Sequence, residues 1–114
     1  MSKIIEINNN KEFMDLLSQN EKPLLIDFYA QWCGPCKALS PIFEQLITYS
    51  EDQVLILKVD VDANPEISAL FKVRSLPTVV TTSNGNFIQG AIGAKNPNHY
   101  KEMINAVIKE HYTS

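Results

Sequence analysis

Two cysteines are all this 114-residue chain has, and they stand three positions apart, at Cys33 and Cys36. A loop that short gives little entropic cross-linking, so the pair does not staple a fold. A second ligand pair for a zinc ribbon is missing, and the two histidines, His99 and His111, are not spaced like a finger's ligands. No basic cluster is present. Against 13 Asp and Glu there are 10 Lys and Arg, a net charge of −3 without the footprint of a nucleic-acid binder. No apolar run approaches the ~20 residues that span a bilayer, and nothing marks a membrane-surface helix. The opening Met1-Ser2-Lys3-Ile4-Ile5-Glu6 holds one lysine, a short apolar stretch and an acid, unlike a secretory signal. The chain is therefore expected to stay where it is made, in the cytoplasm, where thiols are kept reduced. A glycine-rich nucleotide fingerprint is also lacking, as are repeats, low-complexity tracts and linkers. Residues 1–114 are expected to form one domain. Their 45% hydrophobic content can supply a core without metals or disulfides as staples.

What is there alternates. Ile4, Ile5 and Ile7 form a β-branched run, a first strand. Asn9 stands three residues before Glu12, like a capping box, and Phe13, Leu16 and Leu17 follow at helical spacing. This helix is expected to run to about Asn20, with Pro23 ending the region. Leu24-Leu25-Ile26-Asp27-Phe28-Tyr29 reads as a strand buried on both faces. A second helix carries Leu39, Phe43, Leu46 and Ile47 and should kink at Pro41. Val54 to Leu57 opens another buried strand, followed by Lys58-Val59-Asp60-Val61-Asp62. Asn64-Pro65-Glu66 signals a helix start, and Ile67, Leu70 and Phe71 are its expected buried face. Leu76 to Thr82 reads as a strand, Ser83-Asn84-Gly85-Asn86 as a hairpin turn, and Phe87 to Ile92 as the returning strand. Asn96-Pro97 repeats the cap-plus-Pro signal before an amphipathic stripe of Tyr100, Met103, Ile104, Val107 and Ile108. Met14 and Met103 are expected on core faces, His99 and His111 on the surface. The order βαβαβαββα predicts an α/β fold. Its five-stranded mixed sheet is flanked by four helices, with right-handed crossovers first and an antiparallel hairpin last.

A C-x-x-C directly after a strand and opening a helix is a redox signature with a mechanism. The nucleophile is a thiolate, and unpaired N–H groups at a helix start favour negative charge there. Cys33 is thus the expected attacking sulfur and Cys36, one turn on, the resolving one. Asp27 interrupts an apolar strand. Its apolar neighbours predict burial and a raised pKa, although a half-exposed strand would turn it to the surface instead.

The stretch Asp27-Phe28-Tyr29-Ala30-Gln31-Trp32-Cys33-Gly34-Pro35-Cys36-Lys37 resembles the active-site segment of the thioredoxin family. Agreement runs along nearly the whole chain, through Lys58, Leu76-Pro77-Thr78, Asn84-Gly85 and Gly93 in the expected order. The resemblance implies the thioredoxin fold and a protein-disulfide reductase acting as a dithiol electron carrier. It implies a mixed disulfide on Cys33, released by Cys36, with Asp27 behind Cys36 moving its proton. Lys58 matches the lysine near this Asp, a position an ordinary solvated lysine also fits. Pro77 matches a cis-proline presenting the backbone of Leu76 to an extended substrate, where spacing alone equally allows a trans Pro opening an edge strand. Trp32 matches an exposed platform, and a core tryptophan fits the same position. Gly93, with Ile92 and Ala94, matches the rest of the substrate surface, or simply a turn. Gly34-Pro35 between the cysteines goes with reductases. Implied partners are disulfide-containing proteins and thioredoxin reductase, which holds the NADPH. The chain itself is expected to be a monomer with no bound cofactor or metal.

Departures from the family pattern are Tyr29, where many members carry Trp; Ser75, in place of a frequent Gly; and Thr81 and Thr82, where apolar residues are usual. The two threonines are expected to loosen the core or expose a different face. Two other functions stay open: an oxidase or isomerase on the same fold, and a binding module with incidental thiols.

Overall fold

The computed structural model describes residues 3–19 and 21–113. Its strands are β1 (Ile4–Glu6), β2 (Leu24–Tyr29), β3 (Leu55–Asp60), β4 (Thr78–Ser83) and β5 (Asn86–Ile92). Its helices are α1 (Asn10–Ser18), α2 (Gly34–Ala38), α3 (Ser40–Tyr49), α4 (Pro65–Leu70) and α5 (Pro97–Tyr112). The strands form one mixed sheet in the order β1-β3-β2-β4-β5. The first three are parallel, and β4 and β5 are antiparallel additions. Helices α2 and α3 are the two arms of the expected kinked helix, divided at Leu39. Pro41 has no N–H to give to the carbonyl one turn back, so the ladder breaks there.

Local signals explain most boundaries. Asn9 Oδ1 accepts from Glu12 N at 2.8 Å, and Glu12 Oε1 accepts in return from Asn8 N. Helix α1 ends at Ser18, earlier than expected, because Gln19 turns extended. The Gln19 side chain then accepts from Glu21 and Lys22 and donates to Lys22 O. Asn20, the expected end, lies outside the described residues. At the hairpin, Asn84 (φ 53) and Gly85 (φ 80) are both left-handed, as a two-residue turn between twisted strands requires. Asn96 caps α5 by accepting from His99 N.

The centre of the sheet, β2 and β4 above all, is buried on both sides. On one face Leu25, Ile56 and Val79 pack with Leu39, Phe43, Leu46, Tyr100 and Met103, under α3 and α5. On the other, Leu24, Ile26, Phe28, Leu57, Val59 and Val80 pack with Phe13 of α1 and Ile67 of α4. Among the described residues no helix is long and apolar enough to cross a membrane.

Several expectations need correction. Met14 is 47% exposed, at the edge of the face that buries Phe13, beside Leu17 and Phe71. Leu70 is exposed as well, so Ile67 anchors α4 with the partly buried Phe71 beside it. Asn64 does not cap α4 with its side chain. It is buried and donates to the carbonyls of Asp60 and Ile7, tying the β3 end to the chain after β1. Thr81 and Thr82 expose no new face, because β4 lies between β2 and β5 and both are buried. His99 and His111 are both half-buried rather than on the surface, and His111 Nδ1 lies 2.8 Å from Ser83 Oγ. Strand β4 begins at Thr78 rather than Leu76, since Pro77 has no N–H to give to a ladder; the Leu76–Pro77 bond is cis.

Candidate active site

The site assembles where β2 ends and α2 begins. Cys33 is the N-cap of α2, and Cys36 N–H donates to Cys33 Sγ at 3.2 Å. The two residues form a disulfide, with Cα atoms 5.3 Å apart. Both are buried, together with Ala30 and against the flanks of Tyr29, Val61 and Leu76. In the reduced form the same Cys36 N–H would stabilise a Cys33 thiolate, since a hydrogen bond to the charged form lowers a pKa.

Around the cysteines the surface is low and apolar. Trp32 is 70% exposed, its indole held by Nε1–H donating to Asp62 Oδ2 at 2.8 Å. Asp62 was not singled out in the sequence. The signal is register: Tyr29 pairs with Asp60, so the residues just beyond each strand meet. Gly34 and Pro35 are exposed at the first turn of α2. Gly93 sits at φ 86 with open space where a Cβ would be, and its N–H donates to Pro77 O at 2.8 Å. That bond ties the loop after β5 to the cis-proline. Leu76, half-buried, lies against the cysteine pair. Leu76 thus packs on the cysteine pair, Trp32, Gly34 and Pro35 adjoin it in the chain, and Gly93 is tied to Pro77, the residue after Leu76.

Beneath it runs a row of charge. Parallel register places Glu6 beside Lys58 and Lys58 beside Asp27, and Asp27 then pairs with Val79 of β4. Side chains alternate along a strand, so Asp27 shares the face of Leu25, which α3 and α5 cover. Asp27 is 2% exposed, and its Oδ1 has no hydrogen-bond partner among the described residues. Burial pushes its pKa up to about 7; Lys58 opposes the rise and Glu6 adds to it. Lys58 makes no direct ion pair with Asp27 among the described residues. Its Nζ lies instead 4.4 Å from the centre of the Tyr29 ring. Tyr29 O–H donates to Glu6 Oε2 at 2.8 Å. A cavity of about 250 Å³ lies between this row and α2, lined by Glu6, Tyr29, Lys58, Cys36, Lys37 and Ser40 among others. Among the described residues no three His, Cys, Asp or Glu side chains gather as a metal-holding group.

A disulfide between two cysteines one turn apart at a helix start, on a sheet that also buries a carboxyl, is the arrangement of a thiol–disulfide oxidoreductase. The thioredoxin family model matches residues 4–107. A thioredoxin from Mycoplasmoides gallisepticum is 44% identical over 98 residues, 86% of this chain and 96% of that one. The bifunctional thioredoxin reductase/thioredoxin of Mycobacterium leprae is 42% identical over 91 residues. Those residues are 80% of this chain but only 20% of that protein. Oxidised mitochondrial thioredoxin 3 of Saccharomyces cerevisiae superposes with a TM-score of 0.82 at 40% identity, covering 90% of this chain and 94% of that one. The chain belongs to the thioredoxin family and is a dithiol–disulfide oxidoreductase.

Proposed function

We propose that the chain, acting as one monomeric domain over residues 1–114, reduces disulfides of target proteins in the cytoplasm. Cys33 thiolate attacks one sulfur of the target disulfide, whose S–S bond breaks. The electron pair leaves on the other target sulfur, which takes a proton from solvent. Cys36 then gives its proton to Asp27 and attacks Cys33 Sγ. The Cys33–target bond breaks, and the second target sulfur leaves with its electron pair and takes up a proton in turn. Two electrons and two protons thus pass from the dithiol to the target. Thioredoxin reductase, using NADPH, returns them. The chain serves as an electron carrier with no bound cofactor other than its own disulfide, and neither nucleic acid nor a membrane is a partner.

The observation that carries this reading is Asp27: a buried carboxyl on the sheet face that α3 and α5 cover, with no partner for Oδ1 among the described residues and its pKa pushed up to about 7 by burial. A general base works best with a pKa near the operating pH. Trp32, Gly34, Pro35, Leu76, Pro77 and Gly93 supply the surface on which an extended target segment would lie, and Lys58 tunes Asp27. The fusion of reductase and thioredoxin in the Mycobacterium leprae relative supports the choice of recycling partner. Equilibration of Cys33–Cys36 against graded dithiol/disulfide buffers tests the reading, since ~30 mV corresponds to ~1.4 kcal/mol for a two-electron couple. A potential below that of the glutathione pool is expected. One well above it would make the chain an oxidase or isomerase instead.

A further inference from the structure

Tyr29 and Glu6 make a contact that catalysis by Cys33, Cys36 and Asp27 does not use. Tyr29 lies two residues beyond Asp27 on β2, hence on the same face. Its hydroxyl reaches past β3 to Glu6 on β1, 2.8 Å away. The strand it passes carries Lys58, whose ammonium sits over the Tyr29 ring. The result is a bridge over Lys58, at one wall of the cavity that Cys36 also lines. We propose that Glu6 is a positioning residue for proton transfer at Asp27, holding Tyr29 and Lys58 so that the ammonium rests on the ring and is shared between two carboxylates. The proposal rests on the assignment of Asp27 as proton acceptor for Cys36.

The physics is competition for one cation. Lys58 is flanked in register by Glu6 on one side and Asp27 on the other. Whatever field Glu6 neutralises is lost to Asp27, and a carboxylate deprived of a cation in a dry site keeps its proton to higher pH. Other ionisable groups face this region too. Cys36 and Lys37 come from α2, Glu44 from α3, Asp60 from the end of β3 and Tyr100 from α5. From β4 comes Val79, which is apolar. Among the described residues Glu6 alone both joins the row and accepts from the hydroxyl of the ring on which Lys58 rests. Burial, and then the bond to Glu6, hold the Tyr29 hydroxyl well above the ordinary tyrosine range. It therefore stays a donor across the pH range in which Asp27 titrates.

Glu6→Gln tests this in the full chain, because the amide still accepts from Tyr29 O–H but no longer competes for Lys58. The readouts are the pH profile of mixed-disulfide resolution, in single turnovers with a disulfide-linked peptide, and the Asp27 carboxyl titration by NMR. Both midpoints are expected to fall by about half a unit, making resolution about threefold faster at about pH 6 and unchanged at high pH. Tyr29→Phe keeps the ring, cuts the bond and frees Glu6 to pair with Lys58, so its midpoint should move up. A Glu6→Gln profile that overlays the unmodified protein's would overturn the proposal. So would shifts of the same sign in both variants, or an equal shift in Glu44→Gln, which changes charge without touching the bridge. Asp27→Asn separates the two levels. If it abolishes the pH dependence while Glu6→Gln moves nothing, only the positioning role fails. If Asp27→Asn leaves the profile unchanged, the proton-acceptor assignment fails and the positioning role falls with it.

Discussion

Asp27 and Phe28 are neighbours on β2, both withdrawn from water (2% and 0% exposed), and they face opposite sides of one sheet. Phe28 enters an apolar cluster with ring contacts to Phe71 at 5.5 Å, and Phe71 in turn meets Phe13 at 5.8 Å. Its burial stabilises the fold and nothing about it titrates. Asp27 is buried on the other face, beside Lys58 and under the layer of α3 and α5. Its burial costs stability whenever it is ionised, and that cost is what makes it a usable base. The same degree of burial thus gives structure on one face and chemistry on the other, and the side chain's polarity decides which.

The largest expected effect lies on the chemical face. Cys36→Ser should leave Cys33 able to attack but unable to be released. Turnover should vanish and a mixed disulfide accumulate, seen as a mass increase equal to one target molecule. Rapid turnover in this variant would remove Cys36 from the mechanism. On the structural face, Phe28→Ala should cost about 3–5 kcal/mol in denaturant unfolding, since it empties a packed aromatic site. The loss should be equal at acid and alkaline pH, because no group there ionises. A pH-dependent loss would blur the distinction between the faces.

Asp27→Asn reads the cost of the charge directly. Between the ordinary carboxyl value of 3.8 and about 7, the folded protein holds a proton that the unfolded chain has released. Stability therefore falls as pH rises through this window. The variant should escape that fall, being more stable by up to about 4 kcal/mol above pH 7 and by almost nothing near pH 3.8. An equal gain at both ends would mean that packing, not ionisation, sets the cost. The smallest effect concerns an unpartnered hydroxyl on the apolar face. Thr82 pairs with Leu24, and its buried Oγ1 has no partner among the described residues. Thr82→Val should stabilise by about 1 kcal/mol, because a buried unsatisfied hydroxyl pays for desolvation without a bond in return. A loss instead would show that the hydroxyl is satisfied in solution.

Much of this was legible from local pattern. The hairpin at Asn84-Gly85, the cap at Asn96 and the Pro41 kink rest on backbone chemistry that acts within a few residues. Asp27 was legible because a carboxylate in a continuous apolar run has few places to go but inside. Asn64 misled, because the same side chain that caps a helix also bonds distant carbonyls, and here Asp60 and Ile7 won. Met14 misled because helical spacing gives a face but not its width.

By itself the sequence determined the strand and helix order, the two buried faces of β2 and the position of the dithiol at the start of a helix. Each follows from hydrophobic period or from residues close in the chain. Tertiary structure alone decided that Glu6, Lys58 and Asp27 form one row, that Tyr29 bridges to Glu6 across β3, and that Gly93 closes on Pro77. These contacts join strands far apart in sequence. Their meeting depends on strand order and register, which no local period encodes.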